Sequence, residues 1–389
     1  MSDHVKRVGV IGGGQLAWMM ADGARVLDLD LWVQTPSPAD PAVAIAQECI
    51  FAPVGDADAT AELASQCDVI TFENEFVDLE ALGVLAASGV RFAPSLSALK
   101  PILDKYHQRS FLKDAGLPNP DFQAIASFDD PVLKTVGLPC VLKARRHGYD
   151  GQGTFVVRQW SDLETLRQNA KATHTDWLVE AFVPFEKELA VMVARSPSGD
   201  IAVYPVVESQ QIDQVCRRAL VTGELDGTVT EKVEAIARTL VESLNFVGVL
   251  GIELFLTANG TVLINEVAPR THNSGHYTLD ACVTSQFEQQ LRAVSGHPLG
   301  SPDLTVPGAV MVNLLGFESA RSDYPDKREA IAAIPHAHLY WYGKAESRPG
   351  RKLGHVTVLL DAPTPQERRS QAEEVIRVVE GIWYREVGN

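Results

Sequence analysis

The sequence predicts a protein of mixed α/β and α+β class: a doubly wound parallel-sheet domain over residues 1–100, a larger domain over 101–300 and a small C-terminal domain over 301–389. Three observations carry this. Strand-like and helical stretches alternate through residues 5–88, the pattern of a parallel sheet with crossover helices. Beyond Leu117 the pattern changes to short strands and isolated helices, punctuated by Pro118, Pro120, Pro131 and Pro139. A proline- and glycine-rich stretch at 297–302 then reads as a linker.

Residues 5–11 form an apolar run that stops at Gly12-Gly13-Gly14, and residues 15–27 read as a helix. A strand at 29–34, a helix near 60–66, a strand at 68–72 and a helix near 77–88 complete the first domain. In the second, 139–143 and 154–158 read as strands around a glycine-rich loop, with 177–182 as a third. Residues 187–194, 201–207 and 247–256 have the composition of strands in a larger sheet. Val233, Ile236, Ala237, Leu240, Val241 and Leu244 recur at helical spacing and predict an amphipathic helix. Residues 284–294 read as a helix before the linker. Strands near 309–315 and 355–360 and a helix over about 365–379 close the chain.

Lys and Arg number 34 against 50 Asp and Glu, a formal charge of −16, so the global field repels nucleic acid and anionic membrane, and neither is an expected partner. An anionic small substrate would need a local cluster of cations and backbone donors. The cysteines, Cys49, Cys67, Cys140, Cys216 and Cys282, form no C-x-x-C pair, so free thiols are expected rather than a disulfide framework or a zinc site. No apolar run reaches the ~20 residues of a membrane span, and residues 1–7 lead into a strand without a signal-peptide core. A cytoplasmic chain is expected.

Gly12-Gly13-Gly14-Gln15-Leu16-Ala17 matches the G-x-G-x-x-G/A turn that lets an anion approach a helix N-terminus. A nicotinamide cofactor would also want an acid at the end of the second strand, where Gln34-Thr35-Pro36 stands. A packing turn and a site for another phosphorylated ligand stay open beside it. The second glycine loop is richer. Lys143 ends a strand, and Arg145-Arg146-His147-Gly148-Tyr149-Asp150-Gly151-Gln152-Gly153 follows, cations beside glycines that let backbone N–H groups fold over phosphates. No G-K-[ST] closes it, so it is not a Walker A loop.

Asn259-Gly260 between two apolar runs predicts a two-residue type I′ hairpin. In that register 258 faces 261, 255 faces 264 and Glu253 faces Glu266, with Cβ atoms about 4.5–5.5 Å apart. Two carboxylates so close on a half-buried sheet are unfavourable unless one is protonated or a cation lies between them. Oxygen donors without a Cys or His pair favour Mg²⁺, which commonly takes one or two carboxylates plus substrate phosphates. The hairpin therefore predicts a magnesium nucleotide. Residues 267–276 are dense in donors and too polar for a core, which suits a substrate loop. Lys344, Arg351 and Lys352, before Gly354-His355, form a second basic cluster, either a binding site or a solvated face.

Together with Glu180-Ala181-Phe182-Val183 and Glu188, these pieces make the chain resemble the ATP-grasp superfamily. Thr71-Phe72-Glu73-Asn74-Glu75, Asn265-Glu266-Val267-Ala268-Pro269-Arg270, His272-Asn273-Ser274-Gly275-His276-Tyr277, Thr284-Ser285-Gln286-Phe287-Glu288-Gln289 and Arg351-Lys352-Leu353-Gly354-His355-Val356 extend the likeness over nearly the whole chain, toward the carboxylating purine-pathway branch. The resemblance implies an ATP-grasp fold and an ATP-dependent carbon–nitrogen ligase. ATP would phosphorylate bicarbonate to carboxyphosphate, and the carbon dioxide would reach the exocyclic amine of 5-aminoimidazole ribonucleotide. It implies ATP contacts from Lys105, Lys143, the loop residues Gly148, Tyr149, Asp150, Gly151, Gln152, Gly153 and Thr154, and Gln211, Asn265 and Glu266. Glu180, Ala181, Phe182 and Val183 would lie at the adenine and Glu188 at the ribose. Glu253 and Glu266 would hold Mg²⁺. The nucleotide substrate would lie against Gln15, Leu16, Glu73, Tyr149, Asp150, Arg270, His272, Asn273, Ser274, Lys344, Arg351 and Lys352. Of these, Tyr149, Asp150, Arg270 and Lys352 would be catalytic, with Asp150 placed to take the amine proton. A homodimer is also implied. Ala17-Trp18, His147, Gln152 and Gln211 depart from the residues usual in that family.

Overall fold

The computed structural model describes residues 5–146, 153–169, 176–212 and 214–384. Strands β1 (Arg7–Ile11), β2 (Asp30–Thr35), β3 (Glu48–Phe51) and β4 (Val69–Phe72) form a parallel sheet in the order β3-β2-β1-β4. β1 and β4 are near-continuous apolar runs because the sheet is covered on both faces, leaving Val8, Val10, Ile11 and Ile70 buried. The helix expected at 15–27 is two pieces, Gln15–Trp18 and Ala21–Val26. Between them Met20 N–H donates to the Ala17 carbonyl at 3.0 Å, an i→i−3 bond that tightens the chain.

β5 (Phe122–Ile125), β6 (Cys140–Ala144), β7 (Thr154–Val157) and β8 (Trp177–Ala181) make a small antiparallel sheet, ordered β5-β8-β6-β7. β9 (Phe185–Arg195), β10 (Ile201–Val203), β11 (Val207–Ile212), β12 (Val215–Val221), β13 (Gly248–Thr257) and β14 (Val262–Ala268) belong to a larger one. The single strand expected at 201–207 is divided because Pro205, which has no N–H to donate, separates β10 from β11. The helix Gly227–Ser243 buries Val229, Val233, Ile236, Ala237, Leu240 and Val241 along one face, as its spacing predicts.

β15 (Gly308–Leu315), β16 (Ala337–Trp341) and β17 (Lys352–Leu360) continue the larger sheet, in the order β14-β13-β9-β11-β12-β15-β17-β16 with β10 beside β9. β12 meets β15 from Arg218–Val312 to Val221–Ala309. The chain beyond residue 301 thus completes the central sheet. Its last helix, Pro365–Trp383, opens with a capping box at Thr364 and Glu367 and packs over Val356, Val358 and Leu360. The five cysteines are free thiols, as their spacing predicts. Among the described residues no helix is long and apolar enough to cross a membrane.

Candidate active site

Glu253 on β13 lies opposite Glu266 on β14, as the sequence predicts, but by a different route. In the turn Gly260 has φ +75° while Asn259 has no positive φ. Gly260 N–H donates to Thr257 C=O at 2.9 Å and Thr257 N–H to Thr261 C=O at 3.0 Å, a three-residue loop with glycine in the left-handed position. Phe255 therefore faces Leu263 instead of residue 264, one residue out from the two-residue register. A β-bulge restores it. Glu253 pairs with Glu266 while Leu254 pairs with Ile264, leaving Asn265 as the extra residue. Asn265 and Glu266 stand side by side, the first accepting from Lys143 Nζ at 3.0 Å and the second from Lys105 Nζ at 2.6 Å.

Lys143 ends β6, and its neighbour strand β8 supplies Glu180, which is almost fully buried. Arg109 Nε approaches one Glu180 oxygen at 2.7 Å and Lys143 Nζ the other at 2.9 Å. Burial opposes the carboxylate charge, but Arg109 and Lys143 outweigh it and hold its pKa at about 2. The same burial lowers Lys143, with Arg109 and Lys105 adding to it against Glu180. Arg109 also donates to the carbonyls of Ile264 (2.9 Å) and Asn265 (2.7 Å), tying its helix, Lys105–Asp114, to the bulge. Asp104 caps that helix and binds Arg145 at 3.0 and 2.9 Å and Arg146 at 3.3 Å. Those two arginines, expected to face phosphate, instead pin the end of β6 to the start of the helix that carries Lys105. His147 lies outside the described residues.

Glu188 on β9 sits diagonally from Glu253. Burial and then the charge of Glu253 raise it to about 7. Burial and then Glu266 raise Glu253 to about 7, against Lys352, Lys105 and Lys143. Desolvation opposes the Glu266 charge, but the Lys105 ammonium, with Lys143 and Arg109, outweighs it and lowers its pKa. His272 Nε2 lies 3.6 Å and Gln211 Nε2 3.5 Å from the Glu253 carboxylate.

Beyond β4, Glu73 accepts backbone hydrogen bonds from Gly14 and Leu16. A Cβ at Gly12 or Gly14 would lie 2.5 or 2.4 Å from its oxygens. The glycine turn is thus a cradle for the chain's own carboxylate, and a dinucleotide pyrophosphate entering it would meet a negative charge. Burial raises Glu73 to about 7, against Arg270. Arg270 forks onto Glu75 at 2.6 and 2.8 Å. Burial works against the Glu75 charge, yet Arg270 keeps it below the usual carboxylate range. Lys344 Nζ reaches Gln15 Oε1 at 3.0 Å and the Lys352 carbonyl at 2.8 Å, joining the end of the central sheet to the glycine turn.

These groups share one cleft of about 1410 Å³. Lys143, Thr154, Glu180 and Ala181 of the small sheet, Phe182 and Val183 just after it, and Glu188 and Gln211 of the larger sheet line it. Gln15, Leu16, Glu73, Arg270, Lys344, Arg351 and Lys352 line it on the side of the glycine turn, so the second basic cluster faces the cleft. Glu253, Asn265, Glu266, His272 and Asn273 lie between them. Lys105 reaches it through Glu266, and Ser274 stands behind His272, 2.8 Å from its Nδ1. Gly153 lends its carbonyl to Ala144 N–H at 2.7 Å. Gly148, Tyr149, Asp150, Gly151 and Gln152 lie outside the described residues. The loop 267–276, expected to be too polar for a core, is largely buried: Thr271, Ser274 and His276 are at most 1% exposed, and Thr278 and Gln286 bond the backbone carbonyls of Gly275 and His272 from within the protein.

Among the described residues no three His, Cys, Asp or Glu side chains form a metal cage of their own. The facing Glu253 and Glu266 offer hard oxygens only, with excess negative charge, and fit Mg²⁺ sharing its shell with phosphates and water. Arg109, Asp104 and Glu75 carry the site's electrostatics but were absent from the sequence-derived set. Their signal is weak: Gln108, Arg109 and Leu112 share the buried face of a helix otherwise rich in polar residues.

The lysine-bearing small sheet, the acidic hairpin of the central sheet and the cleft between them define an ATP-grasp ligase. Residues 110–287 match the family model for the ATP-grasp domain, 5–102 that for the ribonucleotide synthetase preATP-grasp domain, and 309–369 that for the phosphoribosylaminoimidazole carboxylase C-terminal domain. The chain is 56% identical over 97% of its length to N5-carboxyaminoimidazole ribonucleotide synthase of Synechococcus elongatus, covering 96% of that protein. It superposes on N5-carboxyaminoimidazole ribonucleotide synthetase from Thermotoga maritima with TM-score 0.83 and 39% identity, covering 95% of this chain and 98% of that one. N5-carboxyaminoimidazole synthase from Aspergillus clavatus, solved with ADP and 5-aminoimidazole ribonucleotide, matches with TM-score 0.87 and 30% identity over 97% of this chain and 99% of that one. The chain belongs to the N5-carboxyaminoimidazole ribonucleotide synthase family.

Proposed function

We propose that this protein uses ATP and bicarbonate to carboxylate the exocyclic amine of 5-aminoimidazole ribonucleotide, giving 5-(carboxyamino)imidazole ribonucleotide for purine biosynthesis. The observation that carries this reading is the facing pair Glu253 and Glu266 between a lysine-bearing wall and an arginine- and lysine-bearing wall. A bicarbonate oxygen attacks the γ-phosphorus and ADP leaves. Carboxyphosphate then breaks its C–O bond to release carbon dioxide and phosphate. The amine nitrogen bonds to the carbon and gives up a proton.

Phosphoryl transfer is mostly positioning and charge neutralisation. Lys105 and Lys143, each already set by an acid, supply positive charge beside the transferring group. Glu253 and Glu266 would hold Mg²⁺, which neutralises phosphate charge. Glu188 suits the ribose hydroxyls and Ala181, Phe182 and Val183 the adenine, with Asn265, Thr154 and Gln211 nearby. Arg270, oriented by Glu75, and Lys352 would bind and polarise the second nucleotide, with Gln15, Leu16, Glu73, His272, Asn273, Lys344 and Arg351 around it and Ser274 behind. Tyr149 and Asp150 would contact both nucleotides, with Gly148, Gly151 and Gln152 beside the ATP phosphates; all five lie outside the described residues. The reading includes a cytoplasmic homodimer and domain divisions near residues 100 and 300.

The test is phosphate release from ATP, Mg²⁺ and bicarbonate. It should depend strictly on 5-aminoimidazole ribonucleotide. Release that ignores this nucleotide, or that requires formate and glycinamide ribonucleotide instead, would replace the proposal with another ATP-grasp reaction.

A further inference from the structure

The helix Gln286–Ser295 buries three glutamines: Gln286 and Gln289 are 0% exposed and Gln290 is 1% exposed. A buried carboxamide is costly unless its donor and acceptor are both matched, and each of these is. Gln286 Oε1 accepts the N–H of His272 at 2.9 Å, while its Nε2 donates to the carbonyl of the same residue at 2.7 Å. One side chain thus does for His272 what a neighbouring strand does in an antiparallel pair. Gln290 Oε1 accepts the N–H of Val249 on β13 at 2.6 Å, and its Nε2 donates to Thr71 Oγ1 on β4 at 2.8 Å. Gln289 brackets Gly300, well after the helix, with two bonds of 2.8 Å.

Two of the three anchor what the cleft needs. His272 sits beside the Glu253 carboxylate and caps the turn Asn273–Gly275. Thr71 leads into Glu73 along β4, and Val249 leads into Glu253 along β13. Gln290 is therefore a direct bond between the parallel sheet and the central sheet, buried and solvent-free. We propose that Gln286 and Gln290 are positioning residues, which set the substrate-side groups His272 and Glu73 at a fixed spacing from the acid pair of β13 and β14. This rests on the synthase reading and adds to it two residues that stand behind the cleft wall.

Gln286→Met, Gln290→Met and, as an equally buried control, Gln289→Met are compared with the unaltered protein. Methionine keeps the length and volume but loses both strong hydrogen bonds, so each variant should melt at a lower temperature. A misplacement near 1 Å costs about 100-fold in rate, so kcat/KM for 5-aminoimidazole ribonucleotide should fall about 10- to 100-fold in the first two. KM for ATP should hold in both, and Gln289→Met should keep the full kcat/KM. Gln286→Glu supplies a second readout and decides the matter where Gln286→Met does not fold. Ionised, it cannot donate to the His272 carbonyl; protonated, it restores both bonds. His276 Nδ1 lies 3.4 Å away and is held neutral by burial in the unaltered protein. The ratio of its activity to that of the unaltered protein should rise as pH falls. If the unaltered protein shows no substrate-dependent phosphate release, the synthase reading fails. If it is active and Gln286→Met and Gln290→Met match Gln289→Met in kcat/KM, or the Gln286→Glu ratio is flat with pH, positioning is overturned.

Discussion

Glu253→Gln should stabilise the nucleotide-free protein while abolishing turnover. Burial and the charge of Glu266 hold the Glu253 carboxyl at about 7, against 4.5 for an ordinary glutamate. Between those values the native state binds a proton that the unfolded chain has lost, so stability falls as pH rises through the window and stays low above it. At 1.36 kcal/mol per pKa unit, the ionisable side chain costs about 3 kcal/mol at pH 8 and about 1 kcal/mol at pH 5, relative to a neutral group of the same shape. Glutamine is that neutral group. Lys105, Lys143, Lys352 and His272 face the same carboxylate and keep their places, while Glu188 and Glu266, which the Glu253 charge repels, are relieved by the substitution and add to the gain. At about 2–4 °C per kcal/mol for a large cooperative unit, the variant should melt about 6–12 °C above the unaltered protein at pH 8. The gap should narrow to a few degrees at pH 5. Scanning calorimetry or fluorimetry without magnesium or nucleotide measures both. A variant that melts at or below the unaltered protein at pH 8, or a gap that ignores pH, would refute the reasoning.

Arg109→Met leaves Glu180 buried with Lys143 alone and should destabilise by about 3–5 kcal/mol. The folded Glu180 pKa of about 2 gives stability that is present above about 4.5 and lost toward 2, so the gap between variant and parent should close as pH falls; a constant gap would point to packing instead. Arg270→Lys loses the fork onto Glu75 and should lower kcat/KM for 5-aminoimidazole ribonucleotide about 10- to 100-fold with KM for ATP unchanged; an equal loss for both substrates would place Arg270 in the fold rather than the site. Binding of magnesium–ADP should release roughly half a proton at pH 7 and almost none at pH 9, read by calorimetry in buffers of different ionisation heat, because a metal-bound carboxylate must be deprotonated. Binding without proton release at pH 7 would remove Glu253 from the metal.

The parts of the site that follow from period and turn chemistry were legible in the sequence. Alternation places β13 and β14, and the acid pair follows although a two-residue turn is one residue short, because the bulge at Asn265 compensates for the loop. That cancellation could not be read from the sequence: a bulge depends on what the extra residue bonds, here Lys143. Charged residues on the other side of the cleft were legible as clusters but not as partners. Arg145 and Arg146 looked free for phosphate until Asp104, distant in sequence, came to meet them. The polar loop 267–276 reads as solvent-facing because polarity suggests water, whereas Gln286 bonds the His272 backbone from within the protein. Hydrophobic spacing finds the apolar face of a helix; it says nothing about which buried amide will match which backbone.

The same logic explains why the acid pair survives at a cost to the empty fold. An ionised Glu253, buried and beside Glu266, destabilises the protein by about 3 kcal/mol at pH 8 when nothing neutralises it. Under the proposed function, a divalent cation arriving with a triphosphate would offset the share of that cost due to Glu266, and the relief would add to the affinity for the charged complex. A neutral pair would be more stable and would gain nothing from the metal. The lysines cannot substitute for it: Lys105 is taken up by Glu266 and Lys143 by Glu180 and Asn265, which fixes their positions and leaves the negative excess on Glu253. Under the proposed function, selective attraction of a magnesium nucleotide into an acidic protein would therefore come from a local surplus of negative charge, set among cations that are already paired.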